Sequence, residues 1–206
     1  MIWKYALAAL CGYLMGGVLF SYHLPKLCRR VDVTEVSEDG NPGATNAIRH
    51  AGLWVGMLCL AADILKGLIP VQLSMTFLDT GSIWFAMVMF APVLGHATAP
   101  FYKGKGGKAI AVSFGVLIGL CTVSQALWVL AGVYIFFSTV WVIRPNERRT
   151  VISFGLLGLW AIWQWTKKRS GLALGCMLMS AAVMWKNRKM PKESSDAQMC
   201  AGESAA

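Results

Sequence analysis

Long apolar stretches, broken by short polar connections that are often basic, repeat along this chain as far as about position 186. A bilayer core about 30 Å thick is crossed by roughly 20 apolar residues in a helix. On that measure the pattern predicts spans near 2–24, 51–73, 82–100, 109–124, 126–143, 151–165 and 171–186, the last two being short. Backbone groups in hydrocarbon must be satisfied within the segment, so the predicted fold class is all-α, a polytopic bundle of about seven transmembrane helices. Gly, Ala and Ser recur inside the spans and allow helices to approach closely. The first block carries Lys4 and an apolar core, but no A-x-A-like site follows, and Gly12, Gly16 and Gly17 suggest a retained, packed span. No internal repeat is visible. Residues 1–186 read as one integral membrane domain, and the polar stretch 187–206 as a disordered tail on the cytoplasmic side.

Composition agrees with this pattern. The chain is 56% hydrophobic and 14% charged, with a mean hydropathy of +0.55, whereas soluble domains are about a quarter charged. Its net charge of +9 is carried by clusters between the apolar blocks, such as KLCRR, KGKGGK, RPNERR and TKKR. Positive-inside bias and anionic headgroups account for such clusters. Nucleic acid is excluded as a partner, because the tryptophans lie in or beside apolar runs and not on a basic, water-soluble face. The segments 25–50, 101–108 and 144–150 hold most of these cations and fall on one side of a seven-span topology, taken as cytoplasmic. Lys167, Lys168 and Arg169 fall on the wrong side. Either the last two spans do not both cross, or these three side chains snorkel.

Candidate chemistry lies in the basic connections. In KGKGGK, successive glycines could curve backbone N–H groups around an anion, with Lys105 and Lys108 as flanking charges, although a topology signal has the same composition. In DGNPGATNAIR, Thr45 is the expected N-cap of a helix carrying Arg49 one turn on, an arrangement shared by anion sites and ordinary helix starts. Asp63 and Lys66 in DILKG are three apart within an apolar span. They form either an ion pair that orients a neighbouring helix or a pair in contact with substrate. His96 could be a base, a hydrogen-bond donor or an interfacial residue. No His is followed by Asp in an HxxxxD dyad, and no G-x-S-x-G elbow occurs. The three His are too scattered for a metal site, and the six Cys show no CxxC pair and read as small buried hydrophobes.

Taken together, DGNPGATNAIR, DILKG and GHATAPFYKGKGGKA resemble, in order and spacing, the motifs of the bacterial acyl-phosphate:glycerol-3-phosphate acyltransferases, the PlsY family. That family carries SGN-[IP]-GATN-x-x-R in its first cytoplasmic loop, DxxKG in its second helix, and GH followed by KGGKG. CGYLMGGVLFSYHLPKL resembles the first helix, and ISFG at 152–155 resembles a later VSLG. The resemblance is strongest over roughly the first 120 residues. It implies a seven-helix enzyme of the bacterial inner membrane, with its catalytic loops on the cytoplasmic side. The implied reaction moves a fatty acyl group from acyl phosphate to the sn-1 hydroxyl of glycerol 3-phosphate. Its products are 1-acylglycerol 3-phosphate and phosphate, for phospholipid synthesis. Membrane lipids are the remaining partners, and neither cofactor nor metal is implied. Carried over residue by residue, the resemblance places Arg49, Lys108, His96 and Asp39 in the catalytic set, with His96 an orienting group rather than the base. Gly40, Asn41, Gly43, Thr45, Asn46, Lys105, Gly106, Gly107 and Ser153 fall on phosphate-binding positions, and Asp63 and Lys66 on structural or substrate-orienting ones.

Three departures accompany the match. Asp39 stands where the family has Ser, Ala109 where it has the last Gly of KGGKG, and MWKNRKM where it has HRENI. Asp39 is expected to accept backbone N–H bonds within its turn and to be neutralised by Arg49 or Lys105. The rival reading from another class is a small polytopic transporter or channel for an organophosphate, which would favour a midplane site and inverted repeats.

Overall fold

The structure, a computed structural model, describes residues 2–167 and 170–188, and these are helical apart from their connections. In chain order the helices are α1 (Ile2–Gly17), α2 (Phe20–Arg29), α3 (Val33–Val36), α4 (Ala44–Ala51) and α5 (Leu53–Met75). They continue with α6 (Phe85–Thr98), α7 (Ile110–Gly119), α8 (Ala126–Thr139), α9 (Asn146–Thr166) and α10 (Ser170–Asn187). Each predicted span meets a helix, and the 25–50 connection adds two short ones, α3 and α4. By length and apolar character, the stretches Ile2–Arg29 and Leu53–Met75 could each cross a membrane, while Phe85–Thr98, Ile110–Gly119 and Ala126–Thr139 are shorter apolar helices. The first span is broken between Gly17 and Phe20. Asn187, expected in the tail, is instead a buried residue ending α10. Positions 189–206 of the expected disordered tail, together with Lys168 and Arg169, lie outside the described residues.

α1 packs chiefly on α6, α5 on α7, and α10 on both α9 and α6. Small residues make these approaches possible. A Cβ on Gly16 would meet the Pro92 backbone and one on Gly95 the Tyr13 carbonyl, so α1 and α6 touch main chain to main chain. Gly67 and Gly115 do the same between α5 and α7. Phe85 and Met89 of α6, Phe154 and Leu157 of α9, and Met179 of α10 fill the centre. Outside, Leu10, Trp54, Leu58, Trp128, Ile135, Leu159 and Ile162 are exposed. A belt of large apolar side chains on this scale belongs against another apolar phase. Cys59 and Cys176 are buried as expected of small hydrophobes, whereas Cys11, Cys28 and Cys121 are exposed.

Inside this apolar bundle lies one ionic network. The break after α1 leaves the Val18 carbonyl without a helical partner, and Lys66 Nζ donates to it at 2.6 Å. Lys66 also donates to His96 Nδ1 at 2.8 Å and pairs with Asp63 Oδ1 at 2.8 Å. The Asp63 contact lies outside hydrogen-bond angles, so that oxygen is held by charge alone. Ser21 Oγ donates to the other Asp63 oxygen at 2.9 Å. An ammonium only donates, so His96 Nδ1 accepts and the ring proton belongs on Nε2. Neither Asp63 nor Lys66 reaches solvent. The ion pair expected from sequence is present, and it ties the α1–α2 break to α5 and α6.

Replacing Lys66 by Met should cost about 3–5 kcal/mol, because Asp63 would be left as a buried, unpaired charge. Adding Asp63→Asn should recover part of that loss, since the two residues share one interaction. Unfolding of the detergent-solubilised protein measures both. Equal stability of Lys66→Met and the unaltered chain would show that no buried charge pair is present.

Candidate active site

The connections that carry most of the basic residues converge at one end of the bundle. The opposite end is formed by the turn near Asp79–Ser82, which receives Tyr5 Oη and packs on Gly171. Between the converging loops lies a cavity of about 1480 Å³. Its lining comes from the 36–50 connection, the KGGK loop, the α8–α9 connection and the end of α10. Arg49, Lys105, Lys108, Arg144, Arg148, Arg149 and Lys186 face it, against Glu38, Asp39 and Glu147.

Helix α4 contributes one side. Asn46, Arg49 and His50, three and four residues apart, share a face and line the cavity. The expected N-cap is corrected here. Gly43, not Thr45, is the cap, with no side-chain capping bond, and Thr45 is an exposed residue in the first turn. α4 therefore presents its flank to the cavity and not its N-terminus.

Ahead of α4, Asp39 closes a small turn. Its Oδ1 accepts from the Asn41 N–H at 3.2 Å and from Asn46 Nδ2 at 2.8 Å, and Gly40 takes a left-handed φ of 59°. The expected backbone bond is present. The neutralising cation is neither Arg49 nor Lys105: Lys108 Nζ donates to Asp39 Oδ2 at 2.8 Å. Lys108 also donates to Glu147 Oε1 at 2.7 Å. Burial pushes the Lys108 ammonium toward the neutral form, but its bonds to Asp39 and Glu147 outweigh that and raise its pKa above the ordinary value. For Asp39, burial pushes upward, and the hydrogen bonds from Lys108 and Asn46 hold the carboxyl below its usual range.

The KGGK loop lies directly on the C-terminus of α6. Gly107 N–H donates to the His96 carbonyl at 3.2 Å. A Cβ on Gly106 would strike the carbonyls of His96 and Ala97, and one on Gly107 would strike His96 Nε2. These glycines are thus required for close approach, and the Gly107 N–H is not free for an anion. The Lys105 N–H is likewise taken, by the Tyr102 carbonyl, so two of the loop's backbone donors hold the loop in place. His96 sits beneath that loop, buried, and does not line the cavity. From the far side, Lys186 Nζ reaches the Gly106 carbonyl at 3.4 Å and Asn187 Nδ2 the Lys108 carbonyl at 3.3 Å.

Of the residues singled out by sequence, Asp39, Gly40, Asn41, Asn46, Arg49, Lys105, Gly106, Gly107 and Lys108 therefore meet at one cavity. Gly43, Thr45, Asp63, Lys66, His96 and Ser153 are not on its lining, and Ser153 is buried within α9. Sequence reasoning missed Glu147, Lys186 and Asn187. For Glu147 a signal existed: an acidic residue directly after Pro-Asn marks the first turn of a helix, where the backbone dipole favours a carboxylate.

Known proteins share both the sequence and the fold. Residues 6–195 match the family model described as glycerol-3-phosphate acyltransferase. A glycerol-3-phosphate acyltransferase of Pseudomonas paraeruginosa is 31% identical over 192 residues, 91% of this chain and 93% of the relative. Glycerol-3-phosphate acyltransferase 2 of Thermotoga maritima is 44% identical over 109 residues, 53% of this chain, so the chain spans little more than half the length of that relative, 55%. Among solved structures, the glycerol 3-phosphate form of PlsY (YgiH), an integral membrane glycerol 3-phosphate acyltransferase, superposes with a TM-score of 0.76 at 24% identity. That match covers 96% of this chain and 92% of the other, and establishes a shared fold. By the family model and the near full-length relative together, the chain belongs to the glycerol-3-phosphate acyltransferase family.

Proposed function

We propose that this protein transfers a fatty acyl group from acyl phosphate to the sn-1 hydroxyl of glycerol 3-phosphate, releasing 1-acylglycerol 3-phosphate and inorganic phosphate. The observation that carries the reading is the cavity in which Arg49, Lys105 and Lys108 converge at one end of an apolar-surfaced bundle. Such a site offers phosphate a cationic pocket and offers an acyl chain the adjoining hydrocarbon. We place the bundle in the bacterial inner membrane with about seven spans, and the cavity at its cytoplasmic face. The clustering of cations at that one end supports this orientation.

Acyl phosphate brings its own leaving group, so the chemical step makes modest demands on the protein. The glycerol hydroxyl attacks the acyl carbonyl carbon, the bond from that carbon to the bridging oxygen breaks so that the oxygen leaves with the phosphate, and a substrate phosphate takes the hydroxyl proton. The chain supplies position and countercharge. Arg49 and Lys105, without ion pairs among the described residues, are free cations for a phosphate. Lys108 stabilises charge from the KGGK loop. Asn41 and Asn46 offer polar contacts, and His96 acts through the loop above it.

Palmitoyl phosphate and glycerol 3-phosphate, given to the purified protein without metal or CoA, should yield 1-acylglycerol 3-phosphate. Turnover with palmitoyl-CoA and none with palmitoyl phosphate would reject the assigned donor.

Arg49→Ala and Lys108→Ala should each lower kcat/KM by about tenfold to a hundredfold, the equivalent of one charge-assisted contact. Normal kcat/KM in both, on well-folded protein, would reduce these residues to topology signals.

A further inference from the structure

Lys108 is surrounded by more negative charge than it can balance. One ammonium faces two carboxylates, Asp39 at 2.8 Å and Glu147 at 2.7 Å. A third N–H remains, but a phosphate placed there would be a third anion on a single cation. Like charges at that range are strongly unfavourable. Release of one carboxylate relieves that crowding around the ammonium, and the two differ in what leaving would cost.

The Glu147 side chain is 10% exposed, and Lys108 is its hydrogen-bond partner among the described residues. Losing Lys108 would strand a buried charge. The Asp39 side chain is 38% exposed, and its second oxygen is already held by the Asn41 N–H and Asn46 Nδ2. Released from Lys108, it stays hydrogen-bonded and gains water. Glu147 also sits in the first turn of α9, where the helix favours its charge.

We infer that Asp39 is a resident, exchangeable anion on Lys108: a phosphate oxygen takes the place of Asp39 Oδ2, while Glu147 remains as the fixed counter-ion. The inference rests on the phosphate-handling role proposed above, and it concerns a residue at which this chain departs from the family's Ser. Asp39 is then a specificity-determining residue that weakens phosphate retention. When the product phosphate leaves, Asp39 is at hand to refill its position on Lys108.

The test is binding of inorganic phosphate to the purified full chain in detergent, by calorimetry. Asp39→Asn keeps the acceptor for the Asn41 and Asn46 bonds and removes the competing charge. It should tighten phosphate about tenfold, the equivalent of one charge-assisted bond no longer contested. In the acyl-transfer assay, the inhibition constant for phosphate should fall by a similar factor. Glu38→Gln is the control, an exposed carboxylate on the same cavity that does not touch Lys108. Screened by solvent, it should change binding by less than about twofold. Unchanged affinity in Asp39→Asn, an equal gain in Glu38→Gln, or no phosphate binding by any of the three proteins would each overturn the exchange. Failure of the unaltered protein to use palmitoyl phosphate, with the tenfold gain intact, would overturn the assigned reaction and leave the exchange standing.

Discussion

A cation buried in an apolar bundle must be surrounded by acceptors, and the position of Lys66 imposes that condition on three parts of the chain. Its ammonium draws on the Val18 carbonyl at the break between α1 and α2, on Asp63 one turn earlier in α5, and on His96 near the end of α6. The apolar interior offers no substitute partner, so loss of any one contact leaves a buried polar group unsatisfied. The consequence reaches the cavity in two steps. His96 is fixed by Lys66, and the KGGK loop rests on His96 through the Gly107 N–H. Lys108 follows Gly107 directly, and its reach to Asp39 and Glu147 is therefore set from inside the bundle. His96 itself does not line the cavity.

The cavity itself is an electrostatic compromise. Cations outnumber carboxylates along its wall, yet the most enclosed contact there joins Lys108 to two carboxylates. Arg49 projects from the flank of α4, and the N-terminal cap of that helix is not on the wall. The charge on the wall is thus carried mainly by side chains, beside the first turn of α9, which also lines it. Side-chain charge can be exchanged between partners, whereas a backbone donor built into a helix cannot.

How much of this could be read from sequence divides along the range of the interactions. Helix positions were legible, because burial in an apolar phase writes itself as runs of roughly 20 residues. The DILKG pair was legible as a pair, since i and i+3 share a helical face. The partner of Asp39 was not. Arg49 and Lys105 are also basic and near in sequence or motif, while Lys108, 69 residues away, was selected by the packing of the KGGK loop on α6. Thr45 was misread because Ser and Thr favour N-caps, but GNPG turns the chain so that the helix already starts at Ala44, capped by Gly43. Asn187 was assigned to the tail from local polarity. Its amide instead bonds the Val183 and Lys108 carbonyls, which only tertiary contact reveals.

The remaining departure, Ala109, shows how the chain accommodates a strained position next to its central cation. Ala109 takes φ 61° and ψ 17°, the left-handed region, where a side chain costs roughly 1–2 kcal/mol relative to the right-handed form. Glycine would avoid that cost but would leave unfilled the space its methyl occupies. The methyl is 1% exposed and packs in the main core, so its burial offsets about 0.8 kcal/mol of the strain. Further support comes from the backbone on both sides. The Ala109 carbonyl accepts from Ser113 Oγ at 2.7 Å, and the preceding Lys108 carbonyl accepts from Asn187 Nδ2. A left-handed residue held between two such bonds turns the chain sharply into α7 directly after Lys108. Lys108 is thereby left at the loop's edge with its side chain free to reach Asp39 and Glu147, and the strain at Ala109 belongs to the same device that presents the cation.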